Sequence, residues 1–168
     1  MAHANDQDLA RVKALGPDLL GPQQRAGLSG LEIFRAMLHG ELPTPPMMHT
    51  LGFFLAEVEA GRVVYRGTPT FGCCNSTGNA HGGLAATMLD SCMTTAVACA
   101  LPAGKAATTA ELKLNYLRPL NTDCGPVSAE GRVIHLGGRI ATAEGRIVDA
   151  AGKLYAHGTT TCLVLDRD

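Results

Sequence analysis

One apolar stretch governs what this chain can fold into. From Leu84 to Leu101, small and apolar residues such as Ala85, Ala86, Met88, Leu89, Cys92, Met93, Ala96 and Val97 line nearly every side, with one carboxylate, Asp90, among them. A helix that is apolar all round belongs inside a protein. Burying an unpaired carboxylate is costly, so Asp90 needs a partner or a task there. Directly before the stretch runs Asn75-Ser76-Thr77-Gly78-Asn79-Ala80-His81-Gly82-Gly83. The glycine pair leaves the first backbone N–H groups of the helix bare, at the positive end of its dipole, where a polarised carbonyl can sit. An oxyanion-type donor and a lone acid make acyl transfer the leading reading.

Composition removes several other classes. A chain of 168 residues fits one domain, and an apolar fraction of 46% is ample for one core. The net charge of −1, the lack of any Lys/Arg cluster and the absence of Trp argue against a nucleic-acid partner. The opening Met1-Ala2-His3-Ala4-Asn5-Asp6-Gln7-Asp8 has no basic region leading into an apolar one, so no signal peptide is expected. The apolar run from Ala80 to Leu101 is interrupted by His81, Asp90, Ser91, Thr94 and Thr95 and lacks basic flanks, which argues against a membrane span. Cys73, Cys74, Cys92, Cys99, Cys124 and Cys162 show no C-x-x-C pair. They read as reduced residues of a cytoplasmic protein, the alternative being a reactive thiol at Cys73 or Cys74. His81 has no regularly spaced ligand partners, so neither a metal nor another cofactor is expected.

Two parts are visible along the chain. Residues 1–46 read as a helical extension and linker, with Ser29-Gly30 opening Leu31, Ile33, Phe34, Met37 and Leu38 at helical spacing. Pro43-Thr44-Pro45-Pro46 stops that helix and forces an extended connection. Residues 47–168 read as one α+β unit. Leu51 to Glu57 and Arg62 to Thr68 form a hairpin around Ala60-Gly61, and the buried helix follows. Four more strands come after it: Thr108 to Tyr116, Gly125 to Leu136, Arg139 to Asp149 and Leu154 to Leu165. Gly137-Gly138 and Ala151-Gly152 mark hairpin turns. Antiparallel strands meandering around one buried helix give a sheet wrapped on that helix.

This order of elements resembles the hot-dog fold, and most of all the phenylacetate-pathway (PaaI-type) acyl-CoA thioesterases. The resemblance rests on Asn75, Gly78 and His81-Gly82-Gly83-Leu84-Ala85-Ala86-Thr87-Met88-Leu89-Asp90, then Glu111-Leu112-Lys113-Leu114-Asn115-Tyr116-Leu117-Arg118-Pro119. It implies that Asp90 serves as nucleophile or general base and that the Gly82 N–H binds the thioester carbonyl. His81 and Asn75 would hold the turn and the attacking water or carbonyl, and Thr109 would hydrogen-bond the water. The coenzyme A arm, part of the substrate rather than a cofactor, would run near Arg118, Gly137 and Arg139, and Gly83 would also bind substrate.

A distance argument stands apart from the resemblance. Gly82 and Asp90 are eight residues apart on one helix, about 12 Å at ~1.5 Å per residue. A nucleophile and an oxyanion donor must both lie within about 3 Å of the reacting group. One chain cannot bring both to one thioester, so a homodimer or homotetramer is expected. The competing readings are a non-catalytic acyl-CoA binding protein on the same fold and a hydratase. A pure binder gains nothing from an acid at the carbonyl, and the hydratase pattern of His and acid is not found.

Overall fold

The computed structural model describes the backbone of Ala2 and His3 and all of residues 5–167; Met1, Ala4 and Asp168, which the two-part division also took in, lie outside the described residues. The elements run β1 (Ala2–His3), α1 (Asp6–Leu15), α2 (Pro22–Arg25), α3 (Gly30–Leu38), α4 (Pro46–Leu51), β2 (Phe53–Glu59), β3 (Arg62–Gly67), α5 (Gly82–Ala100), β4 (Lys105–Tyr116), β5 (Val127–Leu136), β6 (Ile140–Asp149) and β7 (Leu154–Asp166). All strand pairs are antiparallel, in the order β1-β2-β3-β5-β6-β7-β4. The sheet wraps α5, which is the expected hot-dog arrangement.

Alternation decides which face of each strand meets the helix. Along β6, Ala141, Ala143 and Ile147 are fully buried while Ile140, Glu144 and Arg146 are exposed. Close approach of α5 to the sheet depends on Gly131 of β5. A Cβ there would lie 2.3 Å from the Cys92 carbonyl oxygen, so no side chain fits. Leu89, Cys92, Met93, Ala96 and Val97 of α5 fill the core between these strands. Met37, Met48, Met88 and Met93 belong to the same cluster, with Met47 packed against it, so these five methionines serve the core. Gly82–Ala100 is long and apolar enough to cross a membrane, yet this is the helix the sheet covers.

The strand expected from Leu51 begins instead at Phe53, because residues 46–51 form α4. The run Pro43 to Pro46 reads as a stop, but proline at the first helical position is already set for a helix. Gly52 then closes α4 in the left-handed region at φ 71°. The division after residue 46 therefore cuts α4. Helix α3 places Ile33, Met37 and Leu38 in the same core as α5. Arg167 donates to the Arg25 and Leu28 carbonyls, tying the chain end to this helical segment.

Candidate active site

The turn ahead of α5 is built from local hydrogen bonds. Asn75 accepts from the Thr77 N–H (2.9 Å) and hydroxyl (2.7 Å) through its Oδ1, and its own N–H donates to the Asn79 carbonyl (2.7 Å). The His81 N–H donates to the Cys73 carbonyl at 2.7 Å, and the Ala80 N–H to the Leu120 carbonyl at 2.8 Å. His81 is the N-cap of α5, where its Nδ1 accepts from the Gly83 N–H at 2.9 Å. An accepting Nδ1 puts the ring hydrogen of a neutral imidazole on Nε2. A Cβ on Gly83 would sit 3.0 Å from that Nδ1, so the glycine makes room for the cap.

The glycine pair is thus not doubly bare. Gly83 gives its N–H to His81 and has none left for substrate, whereas the Gly82 N–H meets no acceptor among the described residues. Asn75 acts first as a turn residue, with only its Nδ2 uncommitted. The Gly83 bond corrects the expectation of two bare N–H groups, because a side-chain acceptor close by in the chain captures the nearest N–H, while Asn75 holds the turn as expected.

A cavity of about 370 Å³ opens in front of this turn. Asn75, His81, Gly82, Tyr116, Arg118 and Tyr155 are among its lining residues. Tyr116 donates to the Gly82 carbonyl at 3.2 Å. Arg118 donates from Nη1 to the Leu154 carbonyl, which fixes it at the end of β7. The Tyr155 hydroxyl donates to Asp149 at 3.2 Å and is pushed up to about 12 by its hydrogen bond with Cys124, by burial and by Asp149.

Asp90 lies elsewhere, further along the same unbroken helix. It is half-buried rather than fully enclosed, and it is not unpaired. Its Oδ1 accepts from Thr109 at 2.6 Å and is 3.4 Å from the Thr94 hydroxyl. A β-bulge between Thr109 and Glu111 aims Thr109 at the helix, while Thr108 is exposed. Thr94 escaped the sequence reading, although its position one turn beyond Asp90 is the signal that finds it.

The sheet register shows how far apart the two halves are. Thr109 pairs with Cys162, which pairs with Ala141; Tyr116 pairs with Ala156, which pairs with Ile147. Cys162 and Ala156 are six residues apart along β7, about 20 Å at ~3.3 Å per residue. Gly137 and Arg139 are at the β5–β6 turn, on the Thr109 row's side, where the Gly137 N–H donates to the Ile140 carbonyl. Within one chain, then, Arg118 sits with Gly82 at one end, and Gly137 and Arg139 sit with Asp90 at the other. The three residues expected along the coenzyme A arm are not brought together in one copy.

Comparison with known proteins gives this geometry its class. Residues 77–156, which span both halves, match the family model described as the Thioesterase superfamily. A putative thioesterase of Ralstonia eutropha, a phenylacetic acid degradation-related protein, is 31% identical, with 77% of this chain and 98% of that one aligned and a TM-score of 0.70. A mutant of the phenylacetic acid degradation protein PaaI from Thermus thermophilus is 29% identical over 70% of this chain and 97% of that one, with a TM-score of 0.63. The E. coli PaaI protein from the phenylacetic acid degradation operon shares the fold at 22% identity, over 71% and 83% of the two chains, with a TM-score of 0.65. No curated protein sequence matches the chain. The fold and these likenesses define a thioester hydrolase. The chain belongs to the thioesterase superfamily, in its hot-dog, PaaI-type branch.

Proposed function

We propose that this protein hydrolyses acyl-CoA thioesters at sites shared by two copies of the chain. The carrying observation is that Gly82, with its free N–H, and Asp90 lie eight residues apart on one unbroken helix, so a single copy cannot bring both to one thioester. In the proposed site the Gly82 N–H of one copy takes the thioester oxygen as negative charge develops, and Asp90 of the other supplies the base or nucleophile. Strand β4 ends the sheet, so its outer edge is open for pairing with a second copy. Antiparallel pairing of β4 with the partner's β4 brings the Tyr116 end of one strand, beside Gly82, towards the end of the other that carries Thr109 and hence Asp90. Coenzyme A then contacts Arg118 of one copy and the Gly137–Arg139 turn of the other. Six free thiols and a coenzyme A substrate fit the reducing cytoplasm.

Two routes start from the Asp90 carboxylate. As general base it takes a proton from water, which adds to the carbonyl and expels the coenzyme A thiolate. As nucleophile it displaces the coenzyme A thiolate to form a mixed anhydride, which water then opens to free acid and the Asp90 carboxylate. Single turnover in ¹⁸O-labelled water tests for the anhydride: the base route puts label only into the released acid, whereas an anhydride opened at the Asp90 carbon puts it into Asp90 and releases unlabelled acid. The function itself is tested by thiol release from acetyl-, isobutyryl-, phenylacetyl- and palmitoyl-CoA. Turnover of at least one, abolished in Asp90→Asn, is expected; binding of these compounds without thiol release would overturn the reading.

A further inference from the structure

We propose that Thr94 is a positioning residue for Asp90, acting through Thr109 to fix which carboxylate oxygen faces the substrate; this rests on the catalytic reading of Asp90 above. A threonine inside a helix ordinarily turns its hydroxyl back to the carbonyl four residues earlier. Thr87 on the same helix does so, donating to the Gly83 carbonyl at 2.8 Å. Thr94 makes no such bond among the described residues. Its hydroxyl lies 2.7 Å from Thr109 Oγ1, 3.4 Å from Asp90 Oδ1 and 3.7 Å from Cys162 Sγ.

The hydrogens can be assigned from what each group is able to give. An ionised carboxylate only accepts, so the 2.6 Å contact takes the single hydrogen of Thr109. The Thr109 oxygen, with its hydrogen committed, accepts at 2.7 Å from Thr94. The Thr94 oxygen in turn accepts from the thiol of Cys162. Cys162 is fully buried, and burial pushes its thiol up, so it stays a donor. The chain of donors therefore runs one way, from Cys162 through Thr94 and Thr109 to Asp90 Oδ1. Successive bonds of this kind polarise one another. Oδ1 is held by the protein, and Oδ2, with no hydrogen-bond partner among the described residues, is left for water or the acyl carbon.

Without Thr94, the Thr109 hydroxyl loses its only other hydrogen-bond partner and is free to rotate away from Asp90. Binding of the thioester does not use this chain, but turnover does. The test compares full-length Thr94→Val, Thr94→Ser and Asp90→Asn on whichever of the four acyl-CoAs is turned over fastest, with thermal unfolding measured for each. Thr94→Val, which keeps the shape, should lower kcat about tenfold, the loss expected of one hydrogen bond in a charged network, with KM nearly unchanged. Thr94→Ser, which restores the hydroxyl, should recover most of kcat. Wild-type kcat in Thr94→Val, a change confined to KM, or a serine variant as impaired as valine would overturn the proposal. If Thr94→Val does not fold, Thr94→Ala against Thr94→Ser carries the same comparison. An inactive Asp90→Asn beside an unimpaired Thr94→Val sinks the positioning role alone, whereas an active Asp90→Asn sinks the catalytic reading and this proposal with it.

Discussion

At Gly82 the chemistry turns on one N–H, and the backbone there allows it to be deleted cleanly. Gly82 is the first residue of α5, the helical position at which proline is tolerated. His81 before it has φ −58° and ψ 139°, the extended conformation that a residue preceding proline prefers. An added Cβ meets the Tyr116 ring at 3.5 Å, ordinary contact. Gly82→Pro should therefore fold and lose ~10²–10³-fold in kcat, the usual loss of one oxyanion donor. Asp90→Asn keeps an acceptor for Thr109 and should also fold, with kcat down ~10²-fold or more from loss of the base or nucleophile. Steady-state kinetics on folded protein checks both, and wild-type turnover in either would remove that residue from the site. The placement of His81 and Gly82 at the start of the helix and of Asp90 two turns on was legible in the sequence, because spacing along a helix and exposure of its first N–H are geometric necessities. The fate of the Gly83 N–H was not, since choosing between a substrate and a neighbouring side chain needs coordinates accurate to a fraction of an ångström.

Among the elements, α3 is fastened against α5 by a close approach at Gly30. Gly30 starts α3 where a Cβ would lie 2.1 Å from the Ala98 carbonyl oxygen and 2.7 Å from its carbon, both backbone atoms of α5. Alanine is the better helix former by ~1 kcal/mol, but overpacking of this kind costs about 1–3 kcal/mol, so the clash should win. Gly30→Ala is expected to lower the thermal midpoint, and an equal or higher midpoint would show that α3 is not held against α5. In α1, the Asn5 N–H donates to Asp8 and holds its carboxyl below the usual value of 3.8; His39 and Arg11 add to this, and burial opposes it. A folded value below the unfolded one makes this contribution complete above about pH 3.8 and loses it as pH falls through the lower folded value. The gap in thermal midpoint between wild type and Asp8→Ala should thus hold at neutral pH and close in acid; a gap that widened in acid would contradict it. Most strands were legible because alternation and Gly-containing turns are properties of single elements. Helix α4 was not, because a Pro-rich run both ends one helix and starts the next.

For the whole molecule, a complete site is expected only between copies. The sequence spacing already pointed to this, but the proposal that copies pair through β4 depends on that strand ending the sheet. The division of labour gives a direct test. Gly82→Pro chains carry a native Asp90, and Asp90→Asn chains carry a native Gly82, so a mixed dimer has one site with both native groups and one with neither. After subunit exchange, verified by light scattering and by mass spectrometry of the mixed species, an equal mixture of the two inactive proteins should show about a quarter of wild-type acyl-CoA hydrolysis, since half the dimers are mixed and each has one working site of two. Proven mixed dimers without thioesterase activity would contradict the shared site.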